Sequence, residues 1–174
     1  MNTQELIKIE DDYFINTFTR QPLVLDHGEG VKVTDIDGNE YLDMFAGIAV
    51  NALGHNHPAL VKAIQDQAEK LIHISSIYYN EPALIYAKKL IDKTSFDRIF
   101  YANSGAEANE GAIKLAVKYT GKSEVISTVE SFHGRTVVTL AATGHEHYHE
   151  PFKAILPKGF INVPYNDIEA IKED

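Results

Sequence analysis

The stretch Asn103-Ser104-Gly105-Ala106-Glu107-Ala108-Asn109-Glu110 decides the fold of this chain. The apolar run at 98–102 before it predicts a β-strand, and the segment 105–119 after it predicts a helix because its apolar residues recur at helical spacing. A strand that leads through small residues into a helix lets backbone N–H groups face an anion at the helix start. The alternative is a plain helix cap, because Ser104 and Glu107 also have the spacing of a capping box.

The sequence after this helix continues the same alternation. It predicts strands at 124–127 and 160–163, a short helix at 134–142 and a further helix that begins at Ile168. Gly121 is expected to end the long helix. Strands that alternate with helices predict a parallel sheet, and therefore an α/β fold.

The first half of the chain predicts a different arrangement. Three short strands at 23–25, 31–33 and 40–42 follow a helix at 5–15, and Asp37-Gly38 marks a turn, which together predict a small antiparallel meander. Helices are predicted from Pro58 and at 82–91. We expect an N-terminal segment at 1–70 and the first part of a larger domain at 71–174.

Composition excludes several classes of function. The 174 residues carry a formal net charge of −9, which disfavours nonspecific binding to nucleic acid or to an anionic membrane. The chain has no Cys, so it has neither disulfides nor thiolate metal sites. Its first residues lack a signal-peptide pattern, and no apolar run reaches the roughly 20 residues of a membrane span. We expect a soluble cytoplasmic protein.

A second candidate site is Ser131-Phe132-His133-Gly134-Arg135, which follows the strand at 124–127. Ligands of open α/β sheets bind at the carboxyl ends of strands. Phe132 could stack on a planar ring there, and Arg135 could bind a carboxylate with its planar fork. The alternatives are a core Phe and a surface Arg.

A third stretch, 45–58, is apolar and rich in small residues before it becomes polar. It could line a pocket mouth or a subunit contact, or it could be a buried connector. Neither His55 and His57 nor the alternating His145, His147 and His149 complete a zinc set, so no metal site is expected. The second group is expected in a polar loop.

These stretches, in this order, resemble the class III pyridoxal-phosphate aminotransferases. The resemblance runs from Tyr13 to Ile171 and is carried by 45–58, 103–110 and 131–136, with further matches at 72–79 and 163–167. It implies the N-terminal part of a fold type I pyridoxal-phosphate transferase, in which a small α+β segment precedes a mostly parallel, helix-flanked sheet.

The resemblance also assigns roles to individual residues. Gly105 and Ala106 match the positions whose N–H groups hold the phosphate of pyridoxal 5'-phosphate, with Ser104 beside them. Phe132 matches the residue that stacks on the pyridine ring, and Arg135 matches the residue that binds the substrate α-carboxylate. Asn51 and residues 47–49 are placed near the substrate channel.

The resemblance implies transfer of an amino group from N-acetylornithine to 2-oxoglutarate, giving glutamate, in an enzyme of arginine biosynthesis that is a homodimer when intact. Ornithine, succinylornithine and 4-aminobutyrate are alternative donors, although residues 46–51 look like the acetylornithine/succinylornithine branch. Family members are more than twice as long, and the lysine that carries the cofactor as a Schiff base lies in the part absent here. We therefore expect this chain to contain no catalytic residue and to be inactive alone. A non-catalytic module for anion binding or association is the alternative from another class.

Overall fold

The computed structural model describes residues 1–173, which form two compact units that meet in sequence at Asn80 and Glu81. Each unit has its own secondary structure. The domain boundary after residue 70 stays a prediction.

The first unit is built around a three-stranded antiparallel sheet with the order β1-β2-β3, which confirms the predicted meander. Val33 lies at its centre, opposite Gly28 on one side and Tyr41 on the other. The first two strands begin one or two residues later than predicted. The elements of this unit are α1 (Thr3–Tyr13), β1 (Leu25–Glu29), β2 (Lys32–Asp35), β3 (Glu40–Leu42), the short turn α2 (Ala46–Ala49) and α3 (Pro58–Ala68).

The buried carboxylate of Asp35 holds the turn between β2 and β3. It accepts hydrogen bonds from the backbone N–H of Asn39 at 2.8 Å and of Asp37 at 3.0 Å, and from the Tyr41 hydroxyl at 2.8 Å. These bonds, with that from the Asn39 side chain as the largest cause, hold the pKa of Asp35 below its ordinary value although burial opposes the shift. Gly38 has φ +86°, as the predicted turn requires.

The α2 turn has an unusual backbone for L-amino acids. Ala46, Gly47, Ile48 and Ala49 have φ values of 48°, 60°, 59° and 62°, so this is a single left-handed turn. The left-handed conformation costs an L-residue roughly 1–2 kcal/mol, so its three non-glycine residues together store about 3–6 kcal/mol. The surrounding structure must offset that strain.

The second unit contains the predicted parallel pair. β4 lies parallel to β5, with Val125 opposite Phe160 and Thr128 opposite Val163. Gly121 ends α5 with φ +71°, as predicted. The helix predicted at 134–142 is shorter and begins at Val137. The elements are α4 (Glu81–Ile91), α5 (Gly105–Thr120), β4 (Val125–Thr128), α6 (Val137–Ala142), α7 (Glu146–His149), a 3₁₀ turn (Glu150–Phe152), β5 (Phe160–Val163) and α8 (Ile168–Glu173).

The strand prediction for 98–102 is wrong, because no strand forms there in the described chain. A strand needs main-chain hydrogen bonds to a neighbour, and the only described neighbour of β4 is β5. The segment is held by side chains instead. The Phe100 ring lies so close to Gly111 that a Cβ there would come within 2.9 Å, and the Tyr101 hydroxyl donates to the carbonyl of Ala83 at 2.8 Å.

The prediction of a polar loop around His145, His147 and His149 is also wrong, because α7 and the 3₁₀ turn occupy this region. Lys153 forms ion pairs with Glu146 and Glu150, and these join the two turns. The His149 ring nitrogen Nε2 lies 2.8 Å from the carbonyl oxygen of Leu140, so this histidine contacts α6 rather than solvent alone.

Little of the chain is buried. A folded monomer of this mass exposes about 8500 Å², whereas this chain exposes 14555 Å². The buried apolar residues of the described chain are Val33, Leu140, Ala141, Ala142 and Val163. Among the described helices, none combines the length and the apolarity needed to cross a membrane.

Candidate active site

The start of α5 is capped in a way that leaves two N–H groups unused. Ser104 is the N-cap residue, and its Oγ accepts a hydrogen bond from the N–H of Glu107 at 3.2 Å. The Glu107 carboxylate bonds to the N–H of Asn103 at 2.7 Å, one residue earlier than a full capping box requires. Within the described residues, the N–H groups of Gly105 and Ala106 have no acceptor. They can therefore meet an anion.

The loop after β4 is fastened to this helix start by two hydrogen bonds. The Asn109 side chain donates to the carbonyl oxygen of His133 at 2.8 Å, and the Thr136 hydroxyl donates to the Glu110 carboxylate at 2.5 Å. Asn109 and Glu110, the two helix residues in these bonds, lie about one turn from Gly105. Residues 131–136 consequently pass directly beside the unused N–H groups.

Gly134 allows this close approach. Its φ is +139°, and a Cβ at this position would lie 2.7 Å from the Cβ of Ala106 and 2.5 Å from Oγ1 of Thr139. Only glycine adopts such a backbone without strain, and only glycine fits this space.

Thr139 and Thr143, whose side chains are fully buried, form hydrogen bonds that hold the loop at residues 131–136 in place. The Thr143 hydroxyl accepts the N–H of His133 at 3.1 Å and donates to the carbonyl of Thr139 at 2.9 Å. Thr139 in turn contacts the Thr136 hydroxyl at 2.7 Å. Because every buried hydroxyl is bonded, the loop has a fixed path.

The start of α5 and residues 132–135 line an open cavity of about 390 Å³, and this volume lies within the common range of small-molecule sites. Phe132 is 56% exposed at this cavity, so it is not a core residue. The Arg135 guanidinium carbon lies 5.4 Å from the centre of the Phe132 ring. The cavity is lined by Gly105, Ala106, Asn109, Phe132, His133, Gly134 and Arg135.

The arrangement offers anion-binding N–H groups, an aromatic face and a guanidinium around one cavity. In a comparison with known families, the model of the class-III aminotransferases matches residues 14–174. The chain belongs to the class-III aminotransferases.

Relatives of this class-III chain share about half of its residues. An acetylornithine aminotransferase of Methanothermobacter thermautotrophicus is 54% identical over 99% of the chain, which covers 44% of that protein. One of Methanocaldococcus jannaschii is 51% identical over 99% of the chain and 45% of its own length. The chain thus spans less than half the length of the curated relatives it matches.

Solved structures of aminotransferases are similar as well. An ornithine aminotransferase from Toxoplasma gondii has a TM-score of 0.90 at 28% identity. The match covers 99% of this chain and 42% of the Toxoplasma chain. An acetylornithine aminotransferase from Elizabethkingia anophelis has a TM-score of 0.77 at 33% identity, covering 99% and 40%. The described fold is accordingly the N-terminal part of a fold type I aminotransferase.

Four of the five site residues predicted for this class-III chain line the same cavity: Gly105, Ala106, Phe132 and Arg135. Ser104 does not line it and serves as the helix cap. Asn51 and residues 47–49 belong to the other unit. Which of these residues touch a ligand stays a prediction.

Sequence reasoning missed the residues that join the helix to the loop. Asn109 and Glu110 stood within the deciding stretch, but nothing in one sequence pairs them with His133 and Thr136 some 24 and 26 residues later. The sequence assigns Thr139 no role beyond its place in the predicted helix at 134–142. A buried hydroxyl network between helix and loop has no periodic signature.

Proposed function

We propose that this chain holds the phosphate, ring and carboxylate sites of an acetylornithine aminotransferase. The observation that carries the proposal is the convergence of two unused N–H groups, of Gly105 and Ala106, with Phe132 and Arg135 on one cavity. The names of the relatives that are 46–54% identical support the choice of donor.

The residues around this cavity fit pyridoxal 5'-phosphate. The N–H groups of Gly105 and Ala106, at the positive end of the α5 dipole, would hold the phosphate dianion. The exposed face of Phe132 would cover the pyridine ring. Because Gly134 carries no side chain, the loop can approach the helix start closely enough to hold both groups at once.

The cofactor would supply the electron sink that amino transfer needs, and this chain would supply binding and orientation. Phe132 would exclude water from one face of the ring. Arg135 would orient a carboxylate in both half-reactions: the α-carboxylate of N-acetylornithine, which reacts at its Cδ, and then the distal carboxylate of 2-oxoglutarate, which is similarly remote from the reacting keto carbon. Its approach to the Phe132 ring, at 5.4 Å, supports a position beside the cofactor.

The intact enzyme is proposed to be a cytoplasmic homodimer. Both properties are what the resemblance to the family implies, and the large apolar surface that the chain leaves exposed supports only that further protein covers it. The lysine that carries the cofactor is proposed to lie outside this chain.

The phosphate site can be tested by removing a single hydrogen-bond donor. Gly105→Pro deletes one N–H at the first helical position, where proline is accepted. Ser104 has φ −150° and ψ 163°, which suits a residue before proline, and no atom lies within 4 Å of a Cβ built at Gly105. A hydrogen bond to a charged group contributes roughly 1.5–3 kcal/mol. We expect about 10- to 150-fold weaker binding of pyridoxamine 5'-phosphate, measured by calorimetric titration of the 174-residue chain.

Two controls make this test specific. Pyridoxamine, which has no phosphate, should bind the proline variant as it binds the wild type. Gly105→Ala keeps the N–H and should retain the preference for the phosphorylated ligand. If the proline variant keeps that preference within twofold, or if the wild type shows none, the proposed phosphate site is refuted.

The donor requires a separate assay. An enzyme that combines this chain with the remaining sequence its relatives possess should use N-acetylornithine with 2-oxoglutarate in preference to ornithine, succinylornithine and 4-aminobutyrate. A higher kcat/KM for any of these three would assign the chain to another branch of the class.

A further inference from the structure

The loop between β3 and α3, residues 44–54, is closed at both ends by hydrogen bonds; we refer to it as the 44–54 loop. Asp43 donates its N–H to the carbonyl of Val31 at 2.8 Å. Gly30 and His55 exchange two backbone hydrogen bonds of 2.9 and 2.7 Å. The chain therefore leaves and returns to the meander at neighbouring points, and the loop contains the left-handed α2 turn.

A carboxylate–imidazole pair connects these two ends. Oδ2 of Asp43 lies 2.7 Å from Nε2 of His55, and the two side chains are only 15% and 25% exposed. The other oxygen of Asp43 accepts the N–H of Phe45 at 3.0 Å and of Ala46 at 2.8 Å. One carboxylate thus bonds both to the end of the loop and to the residues that begin its strained turn.

Two glycines make room for this pair. A Cβ at Gly28 would lie 2.7 Å from the His55 ring, and a Cβ at Gly54 would lie 2.6 Å from the carbonyl oxygen of Gly30. The His55 ring therefore rests directly on the backbone of β1. The hydrogen bond from His55 is the largest cause of the lowered pKa of Asp43.

Asn51 is bonded to the strained turn through its backbone. Its N–H donates to the carbonyl of Ala46 at 3.0 Å, and its carbonyl accepts the N–H of Gly54 at 2.9 Å. If the turn relaxes, Asn51 must move with it.

We propose that Asp43 and His55 form a latch that holds the 44–54 loop, with its left-handed α2 turn, in the strained conformation. The latch concerns only the loop and is independent of any activity.

Amide hydrogen exchange on the 174-residue chain tests the latch. In His55→Ala we expect at least tenfold loss of protection at the amides of Asn51 and Gly54, with the amides of Val33 and Thr34 in the meander unchanged. His55→Gln offers an amide in place of the imidazole and should restore most of the protection. His27→Ala is the matched control, because His27 forms a similar 2.8 Å pair with Asp26 on the same sheet but is 67% exposed.

Unchanged exchange in the loop of His55→Ala would overturn the latch. An equal loss across Val33 and Thr34 would overturn it too, because the pair would then stabilise the whole sheet rather than the loop. Asp43→Asn keeps an oxygen that can accept the N–H groups of Phe45 and Ala46. The amide of Gly54 should therefore lose more protection from exchange than the amide of Ala46, and the reverse order would contradict the assigned hydrogen bonds.

Discussion

Gly134→Ala should destabilise the second unit more than Gly121→Ala or Gly105→Ala does. Two effects add at this position. The backbone, with φ +139°, lies in a region that only glycine populates readily, which costs an alanine about 1–3 kcal/mol. The new methyl would also lie 2.5 Å from Thr139 and 2.7 Å from Ala106, and relieving such overpacking costs about 1–3 kcal/mol.

A smaller effect opposes these two. Alanine has less freedom than glycine in the unfolded chain, which stabilises the variant by about 0.4–1 kcal/mol. The net loss is therefore about 1–5.6 kcal/mol, against the roughly 5–15 kcal/mol that stabilises a typical domain. The strain would be relieved by moving the 131–136 loop away from Ala106, which would also separate Phe132 from the helix start.

Two further alanine variants separate the two effects. Gly121→Ala meets the positive φ of +71° but has no atom within 4 Å of the new Cβ, so it should cost about 1 kcal/mol. Gly105→Ala meets neither difficulty and should stabilise the chain by about 0.4–1 kcal/mol.

Urea denaturation followed by far-ultraviolet circular dichroism suits this series, because the chain has no Trp to report by fluorescence. With a slope of about 2 kcal/mol/M, the Gly134→Ala midpoint should fall by about 0.5–2.8 M. Stability of Gly134→Ala within about 0.5 kcal/mol of that of Gly121→Ala would refute the claimed contact between the loop and the helix start.

Four other outcomes are expected. Ile48→Gly should stabilise the chain by about 1 kcal/mol in urea denaturation, because it removes left-handed strain at a side chain that is 77% exposed; a loss of stability would contradict the left-handed turn. Since the pKa of Asp35 is lowered in the folded state, its ionised carboxylate stabilises the fold above the ordinary pKa, and this stabilisation is lost as pH falls through the folded-state pKa. In thermal melts, Asp35→Asn should have a lower Tm than the wild type at neutral pH, and its Tm should fall less on acidification. Arg135→Ala in an active enzyme should raise the KM for both substrates by about tenfold or more, and an unchanged KM would remove Arg135 from the site. Borohydride reduction of the 174-residue chain with pyridoxal 5'-phosphate should give no stoichiometric adduct at one specific lysine, and such an adduct found by peptide mapping would show that the chain carries its own cofactor lysine.

Much of the second unit follows from local signals in the sequence. Ser104 before small residues and Gly121 after an apolar periodic run mark the two ends of α5, and both ends lie where these residues predict them. β5 occupies the predicted residues 160–163 because four apolar or β-compatible residues stand there between a glycine and a proline. Caps, breakers and periodicity act over a few residues, and a single sequence displays them directly.

The features that sequence reasoning missed depend on distant partners. Residues 98–102 have strand composition, but a strand also requires a neighbour, which composition does not provide. Three of the four residues in the left-handed turn at 46–49 are alanine or isoleucine, which on their own favour other conformations. The turn is held by hydrogen bonds to the Asp43 carboxylate and by backbone bonds within the loop, and composition does not reveal these. The capping alternative for Ser104 and the anion-site interpretation proved compatible, since the cap uses the N–H of Glu107 and leaves those of Gly105 and Ala106.

The parallel pairing of β4 with β5 also sets an order of events during synthesis. Val125 pairs with Phe160, about 35 residues later, and a ribosome adds about 5–20 residues per second. β4 therefore leaves the ribosome about 2–7 s before its partner, and during this interval no described strand can satisfy its main-chain groups. The 131–136 loop cannot reach its final path until that pairing forms, because Val129 bonds to the carbonyl of Val163 at its base. The ligand cavity of this chain is thus completed only after β5 has been synthesised, and the nascent chain must remain soluble until then.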